Sequence, residues 1–211
     1  MQRVSAQVER PSGTLAELKP EVDRLIAAQP RLVELLSRLR AMTLTGSRIR
    51  IHGDFHLGQV LRHGDELSIV DFEGEPSRSL SERRLKRSAL RDVAGMIRSF
   101  HYAAYAPLLS LQNAETRAIA EEEKRGSMAM AQLFARFSSA AFLRGYLERA
   151  RAEPFLPSSE EEGEVLLTAF VIGKGLYEID YELGHRPRWL PLALRGFLGM
   201  FGLAEAPPPV D

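Results

Sequence analysis

The chain has 211 residues, is 45% hydrophobic, and balances 28 basic against 28 acidic side chains with no cysteine. That length suits one large domain, neutrality removes any general pull toward nucleic acid or an anionic membrane, and the lack of cysteine excludes disulfides and thiolate chemistry. No apolar run long enough to span a bilayer occurs, and no signal-peptide apolar stretch opens the sequence. The expectation is a soluble cytoplasmic protein with no membrane and no nucleic-acid partner.

Residues 1–13 are polar, with Pro11 and Gly13, and read as a lead-in. Thr14 and Glu17 have capping-box spacing. Pro20 and Pro30 each suit a first helical turn, where the missing N–H costs nothing. Leu32, Val33, Leu35, Leu36 and Leu39 then recur at helical spacing until Thr45-Gly46-Ser47. Ile49 and Ile51 alternate with arginines, as in a short strand. Residues 60–62 and 67–70 pair as a hairpin, because Gly64 supplies the positive φ that its turn needs.

An Arg- and Ser-rich link follows from Ser77 to Arg91, with a second capping-box spacing at Ser79 and Glu82. Asp92 stands where an N-cap would, ahead of Val93, Met96, Ile97 and Phe100, and Pro107 ends or kinks that helix. Residues 115–152 read as one long helix or two, carrying Met128, Leu133, Phe134, Phe137, Phe142, Leu143 and Leu147. Pro154 and Pro157 break it. Ser159 opens the next helix with three acids in its first turn, and its apolar face is Val165, Leu166, Ala169, Phe170, Gly173, Leu176 and Tyr177. Gly184 suits the position after the last turn and Pro187 the stop. A short helix follows Pro191, and Ala206-Pro-Pro-Pro reads as a disordered end.

The chemistry is concentrated between Arg50 and Pro76. Asp54 is followed five positions later by the amide of Gln59, and across the hairpin by Asp71. Phosphoryl transfer by a protein-kinase-like fold uses this arrangement: a carboxylate facing the acceptor hydroxyl, then an amide and a second carboxylate on Mg²⁺. The fold class expected is mainly α with a small β-hairpin, as in the C-terminal, larger lobe of a kinase-like protein. The division expected is a helical lead-in over 1–47, the lobe over 48–203, and a disordered tail over 204–211. A metallohydrolase built on His52, Asp54 and His56 is the competing reading, but it gives Gln59 no role and finds no second cluster in His63, His101 and His185. In the kinase reading His52 is a structural brace, and Arg91 and Asp92 brace the loop from a helix N-terminus.

The runs IRIHGDFHLGQVL, IVDFEGEPSRSLSERRLKRSALRDVAGMIRSFHYAAY and GLYEIDYELGHRPRWLPL resemble bacterial maltokinase, an enzyme found alone or as the C-terminal part of a trehalose synthase fusion. The resemblance covers about residues 48–200. It implies ATP-dependent phosphorylation of maltose to maltose 1-phosphate for α-glucan (glycogen) synthesis, with Mg²⁺, ATP and maltose bound and a fused or separate trehalose synthase as partner. By position it implies Asp54 as catalytic base and Gln59 and Asp71 as metal ligands. Glu73, in place of the glycine of Asp-Phe-Gly, either joins the metal shell or binds sugar, and His56 lies on the same loop as a substrate-binding candidate. On the late helix Tyr177 and Tyr181 share a face, flanked by Glu178 and Glu182 and followed by Trp189. They are read as a sugar-binding surface, the alternative being that both tyrosines are core. The family pattern Tyr-Glu-Leu-Asn-Asn-Arg-Pro-Asp-Trp departs here at Gly184, His185 and Arg188.

A nucleotide lobe, with a phosphate-covering loop and a strand lysine, is expected to be absent: the residues before His52 read as helices, and Lys19 is their one lysine. The face toward such a lobe is expected to expose apolar groups. Two alternatives to a maltokinase lobe follow. One is an inactive fragment or pseudokinase-like sugar-binding module. The other is a kinase for another small hydroxyl compound.

Overall fold

The computed structural model describes residues 17–113 and 121–203. Among the described residues there are seven α-helices and one hairpin: α1 (Lys19–Ala27), α2 (Gln29–Ala41), β1 (Val60–His63), β2 (Glu66–Ile69), α3 (Leu80–Arg83), α4 (Leu90–Asn113), α5 (Glu121–Ala150), α6 (Glu160–His185) and α7 (Leu190–Met200). The expected mainly helical fold with a small hairpin is the fold found. The capping box at Thr14, the 115–120 part of the long helix expected over 115–152, and the proline-rich end lie outside the described residues.

The strands pair antiparallel with Val60 opposite Ile69 and His63 opposite Glu66, and Gly64 takes φ 60° in the turn. Ile49 makes only an isolated bridge to Arg87, exchanging two backbone hydrogen bonds of 2.9 Å, so the expected entry strand is a single contact. Pro20 and Pro30 lie in first turns. Ser79 closes a complete capping box with Glu82, and Ser159 accepts the amide of Glu162. Three boundaries differ from expectation. Asp92 is inside α4 rather than its N-cap, Gly184 is inside α6, and α4 runs through Pro107 to Asn113. Packing of α4 against α5, α6 and α7 outweighs the loss of one helical hydrogen bond at Pro107.

Two apolar clusters hold the body together. Leu18, Val22, Leu25 and Leu32 from the N-terminal helices pack on Ile172, Ile179, Leu190, Leu194 and Phe197 of α6 and α7. Leu90, Val93 and Ile97 of α4 pack on Ala150, Leu156 and Leu166. The core of α6 thus runs through Val165, Leu166, Ile172 and Ile179, while Phe170, Gly173 and Tyr177, read from sequence as apolar-face residues, line a cavity. On α5, Leu133, Phe134 and Phe137 are exposed rather than core.

His101, on α4, is buried with Nδ1 unpartnered. Burial, reinforced by Arg98, lowers its pKa from 6.5 to about 4. The unfolded chain therefore takes a proton near pH 6.5 that the native protein refuses until about pH 4. Stability is present in full above pH 6.5 and is lost as pH falls between these values, by about 3 kcal/mol in total. His101→Gln is expected to flatten thermal midpoint against pH across that window; an unchanged slope would assign the acid sensitivity to other groups.

Candidate active site

The loop from Ile51 to Gln59 is positioned from one face of α4. Asp92 accepts the backbone amides of His52 (2.7 Å) and Gly53 (3.0 Å). Three residues on, Gly95 lets the helix touch the loop: a Cβ there would lie 2.6 Å from the carbonyl oxygen of Phe55. Further along, Ser99 Oγ accepts the amide of Leu57 at 2.8 Å. Burial raises the pKa of Asp92, and the His52 and Gly53 amides pull it the other way. Gly95→Ala is expected to push the loop out of register, lowering any transfer rate by about 10²-fold with little change in fold; equal rates would show that the loop absorbs the methyl.

His52 is buried. Its Nε2–H donates to the carbonyl of Val70 (2.8 Å), and Nδ1 accepts the amide of Asp54 (3.4 Å). Both ring nitrogens are committed within the protein, so the metallohydrolase reading loses its first ligand. Among the described residues no group of three or more His, Asp or Glu converges as a metal site of that kind would.

His56 accepts the amide of Gly58 at Nδ1 (3.0 Å), which leaves Nε2 facing Asp54 at 3.9 Å and the Gln59 amide at 3.5 Å. Gln59 Nε2 donates to Asp71 Oδ2 at 3.0 Å, so the hairpin does bring amide and acid together. Asp71 is the one described non-glycine residue with positive φ, at 64°. Backbone held in that region costs energy and is typical of functional positions. Gln59 and Asp71 carry the amide and carboxylate groups that can offer oxygen to a hard cation, and here the amide turns Nε2 to Asp71.

Asp54 lies where two cavities meet, of ≈ 270 Å³ and ≈ 540 Å³. The larger runs along α6 past Tyr177, Glu178, Tyr181, Glu182 and Arg186. Tyr177 and Tyr181 are each more than a third exposed, and their rings stack at 6.2 Å. Glu178 accepts from the buried Arg98 at 2.7 Å. Glu182, also buried, accepts from Arg186 twice (3.0 and 2.6 Å) and from Tyr102 (3.2 Å).

Three sequence-derived assignments sit elsewhere. Glu73 is exposed and lines neither cavity; Gly74, at φ 82°, turns the chain so that Glu75 enters the cleft instead. Trp189 lies in a 3₁₀ turn and packs on Arg186, 5.5 Å from guanidinium to ring, so the arginine and not the indole meets the cleft. Arg91 lines the smaller cavity beside Arg78, and the bracing hydrogen bonds are those of Asp92 alone. Sequence reading missed Lys174. Its Nζ is 3.8 Å from both Asp54 and Glu75, contacts between residues far apart in the chain with no local signature.

Leu57, Leu61, Leu67, Ile69 and Phe72 stand exposed on and beside the hairpin. No helix among the described residues is long and apolar enough to cross a membrane.

No family model matches the chain. It is 28% identical over 171 residues to a glucosamine kinase of Streptacidiphilus jiangxiensis, across 81% of this chain and 35% of that protein. To the glucosamine kinase of Mycolicibacterium smegmatis it is 30% identical over 139 residues, across 66% and 31%. A solved glucosamine kinase in complex with glucosamine, ADP and inorganic phosphate matches with TM-score 0.65 and 25% identity, over 95% of this chain and 45% of that one. A solved glucosamine kinase in crystal form B gives 0.64 and 26%, over 96% and 43%. The chain therefore spans about a third of the curated relatives and under half of the solved structures it matches. The fold is kinase-like, and these relatives support a sugar-kinase family rather than maltokinase in particular.

Proposed function

We propose that this chain is the sugar-binding, phosphoacceptor lobe of an ATP-dependent sugar kinase. The observation that supports the reading is a run of contacts that links the three residues: Gln59 donates to Asp71 at 3.0 Å and stands 3.5 Å from His56 Nε2, which lies 3.9 Å from Asp54 in the α6 cleft. Asp54 orients a sugar hydroxyl and accepts its proton. His56 holds the carboxylate from the loop side and Lys174 from the helix side. Gln59 and Asp71 would hold Mg²⁺, which, when bound, offsets the charge of the transferring phosphoryl group. Tyr177 and Tyr181 offer ring faces to sugar C–H surfaces while Glu178 takes hydroxyls. The similarity to a glucosamine kinase solved with ADP supports ATP as phosphate donor. The relatives are glucosamine kinases, so the acceptor is proposed as a hexose-type sugar, and a kinase for a compound other than maltose fits them better than the maltose reading.

Titrating the chain calorimetrically with glucose, glucosamine and maltose, and separately with Mg·ATP, tests this. Binding of at least one sugar, with sugar phosphate formed on mixing with Mg·ATP in a form that binds nucleotide, is the expected result. Sugar binding with no transfer in such a form would favour a sugar-binding module. Binding of no sugar would overturn the proposal.

A further inference from the structure

We propose that the chain pairs with a second copy of itself through the outer face of α5, the two helices antiparallel about a two-fold axis between Leu133 and Phe134. One side of α5 is already buried within the molecule: Ala131 and Ala135 are in the core, and Phe142 meets Phe100 of α4 edge-on at 5.9 Å. The opposite side carries Met130, Leu133, Phe134 and Phe137, between 46% and 73% exposed. Their spacing of three, four and seven residues places them on one helical face. A contiguous apolar stripe of this kind, open to water on a helix otherwise packed, marks an interaction surface.

The order of residues along the stripe selects the occupant. Turned antiparallel about the midpoint of positions 133 and 134, the face meets its own complement. Leu133 falls opposite Phe134, Met130 opposite Phe137, Gly126 opposite Ala141, and sequence position 123, a glutamate, opposite Arg144. Large apolar groups thus meet at the centre, small residues beside them let the backbones approach, and opposite charges fall at the rim. Arg144 is exposed and has only a 3.8 Å contact with Glu148 to exchange. An isologous contact requires this internal symmetry, whereas a dissimilar partner requires none. Parallel pairing would set Arg144 beside Arg144, with no charge match. Two such faces bury on the order of 1,000 Å² in total, the lower end of specific interfaces, which suits a Kd of about 10 μM. Since α5 contributes no residue to either cavity at Asp54, the pairing uses no part of the cleft.

Sedimentation equilibrium of the chain between about 1 and 100 μM is expected to show a monomer–dimer equilibrium. Phe137→Glu places a charge from each copy in the centre of the contact and should weaken association by about 30-fold or more. Phe137 is 73% exposed, so the thermal melt should stay unchanged. Leu67→Lys, on the exposed hairpin, should leave association as it is. Because the chain has no cysteine, single cysteines report the register. Leu133→Cys, beside the axis, should form an interchain disulfide on oxidation, whereas the two copies of Arg144→Cys would lie about 30 Å apart and should not. A chain that stays monomeric at about 100 μM would overturn the inference. So would a dimer weakened by Leu67→Lys rather than by Phe137→Glu, or cross-linking at position 144 as readily as at 133.

Discussion

Asp54→Asn is expected to lower phosphoryl transfer by about 10³-fold in any form of the protein that carries it out, while sugar affinity stays within about threefold. The carboxylate sits at the junction of the two cavities, on a loop held at three points along α4. The asparagine amide is nearly isosteric, so the loop and the α6 wall stay in place. What disappears, on the proposed role, is the group that takes the hydroxyl proton as the bond to phosphorus forms. Turnover measured by ADP release, set beside sugar binding by calorimetry, separates the two effects. Turnover that survives the change would remove Asp54 from its role. Equal loss of binding and turnover would make it a binding residue only.

Glu178→Ala is expected to cost about 3–5 kcal/mol of stability, enough to lower the thermal midpoint by on the order of 10 °C in a chain of this size. The Arg98 side chain is 1% exposed and its Nε donates to Glu178 Oε2 at 2.7 Å. One guanidinium nitrogen is already buried without a partner. Removing the carboxylate would leave the whole cation in the interior uncompensated. Replacing both groups, with Glu178→Leu and Arg98→Met, should recover most of the loss, because an apolar pair of similar volume carries no desolvation penalty. A midpoint that moves by less than about 2 °C in Glu178→Ala would show that the pair is hydrated enough to count as a surface bridge.

Features set by short spacings were legible in the sequence. Asp54, Gln59 and Asp71 belong to one loop and its hairpin, so spacing and a turn glycine bring amide and acid to 3.0 Å. The caps at Ser79 and Ser159 were legible for the same reason. Contacts made across the chain were not. Lys174 meets Asp54 only because α6 packs beside α4, and nothing near Lys174 in the sequence marks that. The same packing carries α4 through Pro107, against its local preference. Glu73 drew attention because it stands in place of the glycine of Asp-Phe-Gly, whereas past the positive φ of Gly74 it is Glu75 that lines the cleft. Trp189 was favoured for its ring, but the 3₁₀ turn that carries it places Arg186 between ring and cleft.

The ties between α4 and α6 also bear on how fast a sugar can dock. Arg98–Glu178 and Tyr102–Glu182 link the two helices at successive turns, and Arg186 locks Glu182 again from the end of α6. The wall of the cleft is therefore ordered during folding, and its entropic cost falls there rather than on ligand capture. If the proposed sugar docks there, association with such a wall is expected to be a single-step encounter, with an observed rate that rises linearly with sugar concentration and shows no plateau from a slow closing step. Differences in affinity among sugars then reside in how long each stays.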